Sequence, residues 1–169
     1  WEPFVDVFSA KNRKVIRVQL IAVQFGLEDR PLPMDYSVET ESAALATTLD
    51  SLKLGQAVDI VAWSFGGFTS LNYALDHPTM IRTLTLIEPP AIWVLRETGR
   101  FDSEMQKRAD FFLSFKGDIT EDMLAQFLNE AGFVQPGQSV RALPQWNGWV
   151  PFRRSLRCNP ATVTFRDSK

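Results

Sequence analysis

Ser64 stands in the run Val58-Asp-Ile-Val-Ala-Trp-Ser64-Phe-Gly-Gly67, with apolar residues before it and glycines after it. The pattern predicts a buried strand, a sharp turn with the serine at its apex, and a helix. A serine thrown clear of a sheet in this way is suited to nucleophilic attack on an acyl carbon, given a base to take its proton. The neighbours suit the turn. Residues two before and two after the apex are expected to crowd one another and must be small, and they are Ala62 and Gly66. Gly67 lets the following helix begin close to the strand. That helix would place its N-terminus under Ser64, where free N–H groups favour developing negative charge.

The other groups that could do chemistry are few. His77 is the only histidine. It falls at the far end of the helix that Ser64 begins, about 20 Å away at ~1.5 Å rise per residue, and so reads as a helix-end residue rather than a base. Glu88 follows the next strand and would sit on the carboxyl edge of the sheet, the side where ligands bind. It is read either as a catalytic acid or as a strand-end acid hydrogen-bonded to its loop. Cys158 is the only cysteine, which excludes an internal disulfide and any multi-cysteine metal site. A phosphate-binding loop is excluded because no Gly-Lys-Ser/Thr follows the turn, and no dinucleotide fingerprint precedes Gly66. No metal site and no cofactor are expected.

The elements that must position these groups read as follows. Residues 2–9 form a short helix. Residues 15–20 are a β-branched strand, and 21–36 a long loop. Ser37 caps a helix running to about Leu54, with Ala44, Leu45, Leu49 and Leu52 on its buried face. Val58 to Trp63 is a parallel strand buried on both faces. A helix runs from Phe68 to Asp76, and Ile81 to Ile87 is a further strand. The alternation argues a parallel α/β sheet in residues 1–90. After Pro89-Pro90 the strand pattern stops. Helices are expected over 102–115, over 119–131 with a capping box of Asp118 and Glu121, and over 149–156, so residues 91–169 read as a helical segment lying over the sheet. That segment carries Trp93, Trp146, Trp149 and six phenylalanines from Phe111 to Phe152. These supply helical core and, for some, the lining of an apolar pocket.

Composition bounds the partners. In 169 residues, 18 Lys and Arg stand against 20 Asp and Glu, for a net charge of −2. That argues against nucleic acid or an anionic membrane as partner. The 45% hydrophobic and 22% charged content is that of a globular domain. No run approaches the ~18 apolar residues of a membrane span. The chain opens on Trp1 without the pattern of a signal peptide, as expected of a processed protein or a segment of a longer one, and the cytoplasm is the expected location.

On the elbow at 58–67, the helix end Asp76-His77-Pro78, the strand Ile81 to Ile87 and the closing Glu88-Pro89-Pro90, the chain resembles the middle of an α/β-hydrolase-fold protein with a helical cap. The resemblance implies an incomplete α/β-hydrolase sheet over 1–90 and a cap over 91–169. It implies Ser64 as nucleophile, the N–H of Phe65 as an oxyanion donor and Glu88 as one of two places for the catalytic acid. The other place, and the catalytic histidine, belong to family segments that these 169 residues lack. The loop after residue 20 departs from the family by losing most of its glycines, although Arg30-Pro31 fits. The implied activity is serine-dependent hydrolysis of an ester or related acyl bond in a mostly apolar small molecule, with Trp93, Trp146 and Trp149 at the substrate. C–C bond hydrolysis, cofactor-free haloperoxidase chemistry and non-catalytic ligand binding are the alternatives.

Overall fold

The computed structural model describes residues 2–33, 35–115 and 119–156. Its elements are α1 (Glu2–Ala10), α2 (Ile21–Leu27), α3 (Val38–Ser51), β1 (Val58–Trp63), α4 (Phe65–Asp76), β2 (Ile81–Ile87), α5 (Ile92–Glu97), α6 (Ser103–Leu113), α7 (Glu121–Glu130) and α8 (Trp146–Trp149). Short 3-10 turns lie at Pro78–Met80, Val140–Ala142 and Val150–Leu156.

β1 and β2 pair in parallel, with Ile60 opposite Leu84 and Trp63 opposite Ile87. The crossover between them is α4, which packs on both strands and on α3. Burial follows from this one-sided cover. Ala62 is buried, while Val61 and Trp63 on the opposite face are 38% and 42% exposed. The expectation of a strand buried on both faces is therefore met on one face only, because among the described residues α4, itself covered by α3, packs on the side of β1 that carries Ala62.

Two further expectations change. Val15–Leu20 does not join the sheet. It runs without regular structure, with Val15, Ile16 and Val18 exposed. A β-branched run becomes a strand only when a neighbour takes its N–H and C=O groups. Ile21–Leu27, expected as loop, is helical because its first N–H groups find an acceptor. The buried Glu41 carboxylate accepts from the N–H of Ile21 and of Ala22, both at 2.9 Å, and from the Tyr36 hydroxyl at 2.6 Å. A side chain 19 or 20 residues away thus does what a local cap does elsewhere.

α3 begins at Ser37, with a capping box to Thr40. Its buried residues are Val38, Glu41 and Ser42, while Leu52 is exposed, so the face turned inward is set by the first turn rather than the last. α7 is capped by Thr120, whose hydroxyl accepts from the Met123 N–H at 3.2 Å; Asp118 lies outside the described residues. The expected helix over 149–156 is instead the last residue of α8 followed by a 3-10 turn. Pro151 has no N–H to donate, so the α-helical ladder cannot pass through it.

The helical part has its own core, in which Leu124, Leu128, Val140 and Trp146 are buried together. Its last turn, Val150–Leu156, packs on α2, and Arg154 pairs with Asp29. Among the described residues no helix is long and apolar enough to cross a membrane.

Candidate active site

Ser64 has φ 53° and ψ −129°, a sparsely populated positive-φ conformation of the kind that costs a non-glycine residue about 1–3 kcal/mol. Three contacts hold it there. Its N–H donates to the Ile87 carbonyl at 2.9 Å, and its own carbonyl accepts from the N–H groups of Gly67 (2.9 Å) and Phe68 (3.2 Å). The turn thereby joins the end of β1, the end of β2 and the first turn of α4. Ser64 is half-buried. Phe65 opens α4, so its N–H has no intrahelical acceptor and is free for a ligand.

Crowding at the turn falls one residue later than the sequence suggests. A Cβ added to Gly66 meets nothing within 4 Å. A Cβ on Gly67 would lie 3.3 Å from the Pro89 Cβ and 3.4 Å from the Ala62 carbonyl oxygen. The close approach is thus between α4 and the exit of β2.

Glu88 follows Ile87 directly and has φ 47°. Because Trp63 and Ile87 are in register, Ser64 and Glu88 are next to each other in the backbone at the carboxyl edge of the sheet. Two non-glycine residues in positive-φ conformations on adjacent strand ends mark this edge, and such strain clusters at functional sites. The Glu88 side chain is exposed.

His77 does not come near. It is the C-cap of the 12-residue α4, exposed, with its ring 4.7 Å from that of Tyr73. The helix separates it from Ser64 by about 18 Å. None of the described residues offers a histidine to Ser64, nor do they form a group of three His, Cys, Asp or Glu able to hold a metal ion.

The tryptophans part company. Trp146 is 8% exposed within the helical core, where Arg141 lies over its ring. Trp149 is half-buried and meets the Phe133 ring edge-on at 5.4 Å. Phe133 in turn meets Trp63, the residue before Ser64, at 5.9 Å. Trp93 falls on α5, and its side chain lies outside those described, as does Cys158. The sequence signals Trp63 weakly, as a large aromatic ending a strand. It does not signal Glu41, whose role depends on where α2 lands.

A family model described as alpha/beta hydrolase fold matches residues 21–163. The chain belongs to the α/β-hydrolase fold family. It is 33% identical to a 2-hydroxy-6-oxo-2,4-heptadienoate hydrolase of Pseudomonas putida, over 89% of this chain and 56% of the relative. It is 30% identical to a 2-hydroxymuconate semialdehyde hydrolase of a Pseudomonas species, over 76% of this chain and 46% of the relative. A cis-3-alkyl-4-alkyloxetan-2-one decarboxylase of Shewanella oneidensis is 28% identical over 43% of this chain and 27% of the relative. The chain thus spans about half the length of the first two relatives. No solved structure matches it.

Proposed function

We propose that Ser64 is the nucleophile of a hydrolase that cleaves the bond beside a carbonyl in a small, mostly apolar oxo-acid, a carbon–carbon bond in preference to an ester. The observation that carries this reading is the positive-φ Ser64 at the carboxyl end of β1, with the free N–H of Phe65 behind it. Two relatives named as hydrolases of a conjugated hydroxy-oxo acid and a semialdehyde point to the carbon–carbon bond.

In this reading the Ser64 oxygen bonds to the carbonyl carbon and gives its proton to a base. The Phe65 N–H donates to the oxyanion. The carbon–carbon bond then breaks, and the departing carbon takes a proton. Water hydrolyses the acyl-serine to the acid and frees Ser64. The base is a histidine from outside these 169 residues, since His77 cannot reach. Glu88, beside Ser64 on the sheet edge, is one of two candidates to orient it. The helical segment from residue 91 serves as a cap in this reading; Trp149, linked through Phe133 to Trp63 beside Ser64, is the tryptophan that supports a substrate contact, whereas Trp146 serves the cap's own core.

The test uses the protein encoded by the complete open reading frame that contains these residues. Cleavage of 2-hydroxy-6-oxo-2,4-heptadienoate shortens its conjugated system and is followed by loss of absorbance. Ser64→Ala is expected to lower turnover at least ~10³-fold, and a fluorophosphonate is expected to label Ser64. Wild-type turnover in Ser64→Ala overturns the nucleophile. Tight binding of the dienoate without cleavage would identify a binding protein instead, and faster turnover of an aryl ester would reverse the bond preference.

A further inference from the structure

The contact between the helical part and the elbow is an aromatic column. Trp63, Phe133 and Trp149 meet successively edge-to-face, at 5.9 Å and 60° and then at 5.4 Å and 77°. Such geometry sets the positive edge of one ring against the negative face of the next, which fixes distance and orientation as well as burying area. The outer members are rooted differently. Trp63 belongs to β1 and is joined by the peptide bond to Ser64. Trp149 ends α8 and packs against the buried cluster of Leu124, Leu128, Val140 and Trp146.

Phe133 is set between them by the way α7 ends. Gly132 takes φ 81°, its N–H donates to the Asn129 carbonyl, and the Phe133 N–H donates to the Leu128 carbonyl, each at 3.0 Å. This is the double-bonded helix stop that needs a left-handed residue, and it turns the next side chain off the helix axis. The residue so turned is the one that reaches Trp63, which would otherwise stand on the open face of the sheet with Val61.

We propose that Phe133 is a positioning residue that sets the height and orientation of the helical segment over Ser64. Its functional consequence rests on the reading of Ser64 given above; its structural consequence does not. Removing the ring frees the segment from the elbow; because Phe133 also packs against the segment's own core, Trp63→Leu is the variant that removes the elbow contact alone.

The experiment measures amide hydrogen exchange by mass spectrometry on wild type, Phe133→Ala, Phe133→Tyr and Trp63→Leu, together with kcat and KM for the dienoate. In Phe133→Ala, peptides covering 62–67 and 146–150 are expected to exchange about tenfold faster, in step, while the peptide over α7 keeps its protection. KM rises about tenfold with kcat changed less, and Phe133→Tyr, which keeps the ring, restores both. Trp63→Leu removes the other side of the same contact and accelerates exchange at 146–150 without touching the helical core. It therefore decides the matter should Phe133→Ala melt the segment outright. Unchanged exchange at 146–150 in Trp63→Leu, or at 62–67 in a folded Phe133→Ala, overturns the proposal. A wild-type enzyme inert on the dienoate refutes the substrate reading and leaves the exchange result to stand or fall by itself.

Discussion

Gly66 and Gly67 are neighbours of the same type in the same helical turn, and the structure gives their replacement by alanine opposite signs. Alanine in a helix is favoured over glycine by roughly 0.5–1 kcal/mol, part of it through a less free unfolded chain. At Gly66 the new methyl meets nothing within 4 Å, so that gain is expected in full. At Gly67 the methyl would stand 3.3 Å from the Pro89 Cβ, 3.4 Å from the Ala62 oxygen and 3.6 Å from the Pro89 Cα. None of these neighbours yields easily. Ala62 O is backbone at the end of β1. Pro89 has a fixed φ and follows Glu88, itself left-handed, while the Ile87 carbonyl is tied to Ser64. Overpacking a well-filled site costs about 1–3 kcal/mol, which exceeds the helical gain and leaves a net loss of about 1 kcal/mol. In a chain of 169 residues 1 kcal/mol moves Tm by about 2–4 °C. Thermal melts followed by far-ultraviolet circular dichroism should therefore show Gly66→Ala above wild type and Gly67→Ala below it. If Gly67→Ala raises Tm as much as Gly66→Ala, the close approach of α4 to the exit of β2 is not real, and the account of the turn fails with it.

Three further outcomes are expected. Ser64→Gly should raise stability by about 1 kcal/mol in urea unfolding while removing the proposed nucleophile, because glycine tolerates φ 53° without the Cβ clash; a loss of stability would mean the turn is not strained. Glu41→Ala should cost about 3 kcal/mol, since it leaves two helix N–H groups and the Tyr36 hydroxyl without their acceptor, and exchange over α2 should rise with it. At Asp59 the Arg82 guanidinium, with help from the Thr83 hydroxyl, holds the carboxyl well below the usual carboxylate range. A folded-state pKa lowered below its unfolded value contributes stability above pH ~4 that is lost as pH falls further. The Tm gap between wild type and Asp59→Asn should therefore be flat from pH 7 to 5 and shrink below pH 4, and a gap that widens on acidification would contradict the pairing.

What was legible in the sequence is what neighbours in the sequence determine. Ser37 capping α3, the β-branched β2, and the strand–serine–glycine–helix order around Ser64 each rest on residues within a few positions of one another. What was not legible depends on partners distant in the chain. Residues 15–20 have the composition of a strand, but pairing is a property of two segments, and the described sheet holds only β1 and β2. The helix at 21–27 rests on Glu41, and no local pattern announces a carboxylate that caps from 20 residues away. The turn's local pattern points to Gly67 for the approach of α4 to β1, but it also assigns crowding to Gly66, where there is none, and it does not announce Pro89, which comes from beyond β2. The tryptophans of the helical segment were alike by composition. Only the fold separates Trp146, in a core, from Trp149, in the column to Trp63.

The same distinction bears on how the site is built. Every interaction that strains Ser64 into place lies between Ala62 and Pro89: the bond to Ile87, the two N–H groups from α4, and the fit of Gly67 against the proline. One strand, one crossover helix and the next strand suffice, because a right-handed parallel unit carries its own sheet pairing and its own helix cover. The conformation of Ser64 is thus self-contained within this unit, while α3 on α4 and Phe133 on Trp63 brace the unit from outside. Turnover is not self-contained in this sense. In the proposed mechanism it requires a histidine at Ser64, which His77 at the far end of α4 cannot be, and a cap held at a fixed distance, the role proposed for the contact of Phe133 with Trp63. A strained serine without its base is poised but idle, so the elbow can be present and correctly formed in a chain that does no chemistry alone. Measuring the geometry of the turn and measuring its turnover are for that reason separate tests, and a negative result in the second leaves the first untouched.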